Sequence, residues 1–220
     1  MYMRDRHMHR GHMGSRPLKR CVSAAFVTAA WVGLSAPHVS QAGGAAVVEP
    51  TDPQGPFCSS IPATGEGSFA GMADDPVATA ASNNPYLTTL TSAVAAAGLT
   101  ETLNDEGPFT ILAPSNEAFA RVPPADLDSI LDDPAALVNI LTYHVIAGRS
   151  LSAAELIAEG RVESAQGSEL IFTSDEAGAL IINGGAAIST CWNIRTANAT
   201  VHVIDRLLVP PSPDDCFAQC

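Results

Sequence analysis

Lysine is almost missing from this sequence: Lys19 stands alone among 220 residues. Arginine does little to replace it, because Arg4, Arg6, Arg10, Arg16 and Arg20 lie with Lys19 in the first twenty positions. With residues 1–42 set aside as a leader, 5 basic side chains face 22 acidic ones, a balance of −17. Such a chain lacks the basic footprint that neutralises phosphates, which argues against nucleic acid as a partner and against direct binding to an anionic membrane. C-x-x-C is absent and histidine is scarce, so zinc chemistry has no ligand set. There is also no Gly-x-Ser-x-Gly elbow to present a nucleophilic serine. Beyond the leader only His144 and His202 can serve as imidazole bases, and Ser115, a histidine and Asp205 make a triad by composition alone. The acidic run Asp126, Asp128, Asp132 and Asp133 lacks the Gly at the sixth and the Glu at the twelfth position of a calcium loop, and reads as solvated surface. No enzyme activity, metal or cofactor is implied.

What is present at the N-terminus has the order of a secretory signal. Arg16 to Arg20 form a basic region, Cys21 to Leu34 form an apolar run without charge, and Ser40-Gln41-Ala42 places small residues at a cleavage site. The run is shorter than the ~20 residues that span a bilayer, and Pro37 and His38 follow it. Residues 1–42 are therefore expected to be a signal peptide, with an over-long start in the first fourteen. Removal of Cys21 leaves an even set, Cys58, Cys191, Cys216 and Cys220, as expected for an exported chain. Four cysteines allow three pairings. The spacing of Cys216 and Cys220 permits a local bridge, which leaves Cys58 to close a long loop with Cys191.

Residues 43–73 carry Pro50, Pro53, Pro56 and Pro62 with several glycines and read as an irregular arm, and residues 212–220 as a short tail. Between them lies one domain, 74–211. Asp75-Pro76, Asn84-Pro85 and Asp133-Pro134 each place a capping residue before a proline suited to the first helical position. Leu87, Leu90 and Val94, and then Leu137, Ile140 and Leu141, supply apolar helical stripes. Thr110-Ile111-Leu112 reads as a short buried strand, with Ser115 capping a brief helix after it. From Arg161 onward the β-prone runs Leu170–Thr173, Leu180–Ile182, Ala187-Ile188 and Val201–Val209 alternate with turns, Asn183-Gly184 being a hairpin signal. Helices first and a meander afterwards predict an α+β domain.

Three segments carry a resemblance. Thr110 to Phe119 (TILAPSNEAF) resembles the first signature of fasciclin domains, Leu141-Thr142-Tyr143-His144-Val145 is similar to their central Tyr-His motif, and Ala199 to Pro210 is similar to their closing signature. Order and spacing agree over about residues 74–211. The arm, with the Cys58/Cys191 pair, resembles the secreted single-domain bacterial branch. This resemblance implies an α+β wedge of two β-sheets flanked by helices, an extracellular adhesion or binding role, and no common catalytic chemistry. It also implies that the adhesive element falls on Tyr143 and His144, flanked by Ile140 and Val145. The residues themselves suggest otherwise: a Tyr and a His among so many apolar neighbours are expected to be buried with their polar atoms satisfied. Asn198-Ala199-Thr200 is a glycosylation sequon that the same reasoning assigns to turn and strand chemistry.

Two functions follow. The first is a secreted module that attaches to an extracellular or cell-surface protein or glycan, in the medium or at the cell envelope. The alternative is a carrier of a small apolar ligand in the wedge between the sheets, which a contiguous cavity of ~300 Å³ or more would favour.

Overall fold

The computed structural model describes residues 52–211. The expected leader, Cys216 and Cys220 lie outside that range.

The helices come first: α1 (Phe69–Ala73), which lies inside the stretch expected to be irregular and is capped by Ser68 Oγ accepting from the Gly71 N–H, α2 (Val77–Ser82), α3 (Thr88–Ala96) and α4 (Thr100–Asn104) precede strand β1 (Phe109–Pro114). Then come α5 (Asn116–Ala120), α6 (Pro124–Asp132), α7 (Pro134–Tyr143), β2 (Val145–Ala147) and α8 (Ala153–Glu159). The meander closes the domain with β3 (Arg161–Glu163), β4 (Glu169–Ser174), β5 (Leu180–Ile182), β6 (Ala187–Arg195) and β7 (Ala199–Ile204). Asn183 and Gly184 turn the chain between β5 and β6 at φ 49° and 69°, the left-handed region that Asn-Gly tolerates.

The strands form a ladder in the order β2-β1-β7-β6-β5-β4-β3, and β1 and β7 run parallel while their other neighbours run antiparallel. All seven strands belong to one mixed sheet, and β6 joins the two arms of the expected wedge: Ala187 and Ile188 pair with β5, and Ser189 to Arg195 pair with β7, with register shifts on either side of Cys191. Bulges of this kind bend and twist a strand, which lets one strand serve both arms of the wedge. On β1, Ile111 and Ala113 enter one apolar cluster with α2, α3 and α7, while Leu112 enters a second with α8, β4 and β5. β7 divides likewise, Val201 and Val203 against Ile204, so all six of its residues are buried. This two-sided burial explains why both strands are nearly continuous in apolar residues. The last strand ends at Ile204 rather than running on to Val209, because Asp205 turns its carboxylate onto the Ile188 N–H at 2.8 Å and onto Arg121.

Two expected caps are replaced by distant ones. Asp133 does cap α7, its Oδ1 accepting from the N–H groups of Ala135 and Ala136, and Ser115 caps α5. Asp75 and Asn84, however, do not cap α2 and α3. The first N–H groups of α2 instead donate to Asn198 Oδ1 from Val77 (2.9 Å) and to Asn104 Oδ1 from Ala78 (3.1 Å). Thr89, at the start of α3, donates to Asn116 Oδ1 at 3.0 Å. Short helices gain little from their own sequence, and side chains carried in by the rest of the fold satisfy their ends. Asn198 also donates through Nδ2 to the Leu103 and Asp105 carbonyls, both at 2.8 Å. Asn198→Ala is therefore expected to lower stability by about 2–3 kcal/mol. Urea unfolding checks it, and a loss below ~0.5 kcal/mol would contradict this role.

Candidate functional site

The three sequence signatures meet at one place. β1 pairs with β7 on one side and β2 on the other, and the Leu112 N–H donates to the His144 carbonyl at 2.9 Å. His144 follows the last turn of α7, whose stripe Leu137, Ile140 and Leu141 is buried. The resulting position is inside. Ile140 is 6% exposed, Tyr143 1%, His144 2% and Val145 8%, so none of the four presents its side chain to a partner at this surface. The physical reason is the amphipathic stripe: a helix that buries one face carries its last turn in with it.

Both rings are tied down by hydrogen bonds. Ile140 carbonyl can only accept, so His144 Nδ1 donates to it at 2.8 Å; the Leu208 N–H can only donate, so Nε2 accepts it at 3.0 Å. His144 is thus a neutral imidazole in one tautomer, because an imidazolium has no lone pair for Leu208. His202 is held in the opposite tautomer: Nε2 donates to the Leu151 carbonyl at 3.0 Å, and Nδ1 accepts from the Asn193 N–H at 3.4 Å. Burial lowers each pKa to about 4, against a smaller upward effect of the carbonyl partners. Tyr143 spans the wedge, its hydroxyl accepting from Asn183 Nδ2 at 2.8 Å and lying 3.4 Å from the Glu169 carbonyl. The motif therefore joins the helical layer to the segment that follows β7 through His144 and to the β4–β6 hairpins through Tyr143.

The compositional triad is not assembled. Ser115 Oγ accepts from the Ala118 N–H, Asp205 serves Ile188 and Arg121, and both histidines are committed to backbone groups. Among the described residues no hydrogen bond joins these side chains to one another. Cys58 and Cys191 form the expected disulfide, at a sequence separation of 133. Asn193, whose Oδ1 caps α8 through the Ala153 N–H at 2.8 Å, is absent from the sequence reading, and Asn183 and Asn198, named there for a turn and a sequon, prove to bond Tyr143 and the Leu103 and Asp105 carbonyls. Only Asn183 carried a local signal, the glycine after it.

An apolar cavity is present, but not between the arms of the wedge. It lies beneath α2, α3 and α4, over Ile111, Leu112, Leu141 and His144, and its volume is about 220 Å³, short of the size set for a carrier. The outward face of β3–β6 differs from the interior face. There Ile171 (38% exposed) and Ile188 (41%) flank half-buried Ile181, which pairs directly with Ile188. The ion pairs Arg161–Glu169 (3.1 Å) and Arg121–Asp205 (2.8 Å) border this row.

Comparison with known proteins agrees with the geometry. The fasciclin domain profile matches residues 85–210. The chain is 38% identical over 203 residues to the immunogenic protein MPB70 of Mycobacterium bovis, which covers 89% of this chain and 99% of that protein. It is 45% identical over 154 residues to the cell surface glycolipoprotein MPB83 of the same species, covering 68% of this chain and 67% of that one. Protein sll1483 of Synechocystis is 40% identical over 133 residues, covering 60% of this chain and 71% of that protein. In structure, the FAS1 domain pair of the insect cell adhesion molecule fasciclin I superposes with a TM-score of 0.53 at 17% identity, over 64% of this chain. The match spans about half, 52%, of that solved chain and bears on the fold alone. With a profile that covers more than half of its length, the chain belongs to the fasciclin domain family.

Proposed function

We propose that this protein is a secreted, non-enzymatic attachment module that binds an extracellular or cell-surface protein through the outward face of β3–β6. The exposed Ile171 and Ile188, with half-buried Ile181 between them and ion pairs at the border, carry the reading. An apolar centre with a polar rim is the anatomy of a protein interface. Aliphatic side chains offer no hydrogen bonds to sugar hydroxyls, which favours a protein over a glycan. The acidic balance of the chain favours a basic partner. The cell-surface relative supports an extracellular setting. Residues 1–42 then act as the removable leader, 43–73 as an arm fastened by Cys58, and 212–220 as a tail.

The experiment uses protein recovered from culture medium, whose N-terminus is expected near Gly43. Its binding to immobilised matrix or envelope proteins is compared with that of Ile171→Glu/Ile188→Glu. Binding should fall at least ~10-fold in the variant while stability changes little, since both positions are exposed. Unchanged binding would contradict the assignment of the face.

A further inference from the structure

Beyond attachment to a macromolecule, we infer that the cavity beneath α2–α4 is a binding site for a small, uncharged apolar molecule. Protein interiors are close-packed and leave few spaces larger than a water molecule. Here the sequence sets small residues, Ala78 and Ala81, where larger ones would fill the gap between the helices and β1, and a space of about 220 Å³ results. Leu90, Val94, Leu103 and Leu141 supply its wall, and among the described residues no aspartate, glutamate, lysine or arginine lines it.

Three of the polar side chains at the wall are already engaged. Asn104 Oδ1 accepts from the Ala78 and Thr79 N–H groups, Thr91 Oγ1 donates to the Leu87 carbonyl, and both ring nitrogens of His144 hold backbone partners. An ion entering this space would find no counter-charge, and desolvation would exclude it. A largely aliphatic space of this kind suits apolar molecules. Scaling from the ~150 Å³ cavity that accepts benzene, it holds roughly nine non-hydrogen atoms. Exposed Ser82, Ala95 and Thr100 form its rim, which suits a chain ending in one hydroxyl. The site places His144 in its wall, so the Tyr-His motif shapes a ligand space without touching the outer face.

The probes are 1-octanol and octanoate, of matching length and differing in charge, titrated at pH 8 with methyl and amide NMR of the disulfide-bonded protein. Saturable shifts are expected for 1-octanol at Leu90, Val94, Leu103 and Leu141, with a dissociation constant below ~1 mM. Octanoate should bind at least ~10-fold more weakly. Ala95→Trp, at an exposed rim position, should weaken 1-octanol at least ~10-fold without changing the fold, and Thr100→Trp is the second variant if the first does not fold. Absence of saturable shifts at the lining residues, equal binding of octanoate, or undiminished 1-octanol binding by a folded rim variant would overturn the inference. None of these outcomes depends on the isoleucine face.

Discussion

Removal of the Cys58–Cys191 bridge is expected to cost about 5 kcal/mol, the largest single effect in the molecule. The bridge spans 133 residues of sequence, and the chain-entropy model assigns that value to a closed loop of such length. Its position explains why the fold depends on it. Cys191 is fully buried on β6 at the bulged segment, and just beyond it Trp192 exchanges backbone hydrogen bonds with Gln54, 2.8 and 3.0 Å long. The arm is thus sewn to the strand that both sides of the wedge share, and Phe57 meets Tyr86 edge to face at 5.0 Å. Without the bridge, ordering of the arm rests on the packing of Phe57, Ile61 and Met72 and on the Gln54–Trp192 pair, against the full entropy of the open chain. For a domain of this size the loss corresponds to a fall in melting temperature of roughly 10–20 °C. Urea unfolding of Cys58→Ala/Cys191→Ala beside the oxidised wild type measures it. A difference below ~1 kcal/mol would show that the arm is held by packing alone.

Acid is expected to destabilise the domain steeply between about pH 6.5 and pH 4. In the unfolded chain His144 and His202 titrate near 6.5; in the folded chain both are lowered to about 4 by burial. Within that window the unfolded state binds protons that the native state refuses, so unfolding becomes more favourable as pH falls. The contribution of neutral histidine is complete above pH ~6.5, declines through the window, and is gone near pH 4. Each group supplies about 3 kcal/mol by this linkage, and the pair about 6, a large part of the ~5–15 kcal/mol of a typical domain. Urea unfolding across pH 4–8 tests it. His144→Gln should be less stable at pH 8 and should show a clearly shallower dependence on pH than wild type; an unchanged slope would contradict the assignment.

Much of this was legible in the sequence because the responsible interactions are local. Asp133-Pro134 opens α7, Ser115 opens α5, Asn183-Gly184 turns β5 into β6, and the apolar surroundings of Tyr143 and His144 announce their burial. Ser152 and Glu155 have capping-box spacing and mark the start of α8, in a stretch before Arg161 for which the sequence analysis names no element. What was not legible is long-range. Asn198 caps a helix 121 residues earlier in the chain; nothing near Val77 encodes that partner, and Asp75-Pro76 suggests a different one. The cavity was equally hidden, since alanines on α2 look like ordinary helix formers until the helices are set against β1. The resemblance to fasciclin domains placed the three signatures correctly in order, but a motif shows where residues recur and not whether they face out.

The Tyr-His motif acts from the interior, with His144 as a neutral imidazole fastening α7 to the closing segment. The most direct test is an NMR pH titration of the His144 ring in the native protein. The structure predicts the Nδ1–H tautomer unchanged as pH falls past 6, with a midpoint near 4 or unfolding before it is reached. A midpoint near 6.5, with the fold intact throughout, would place the ring in water and return the motif to the surface.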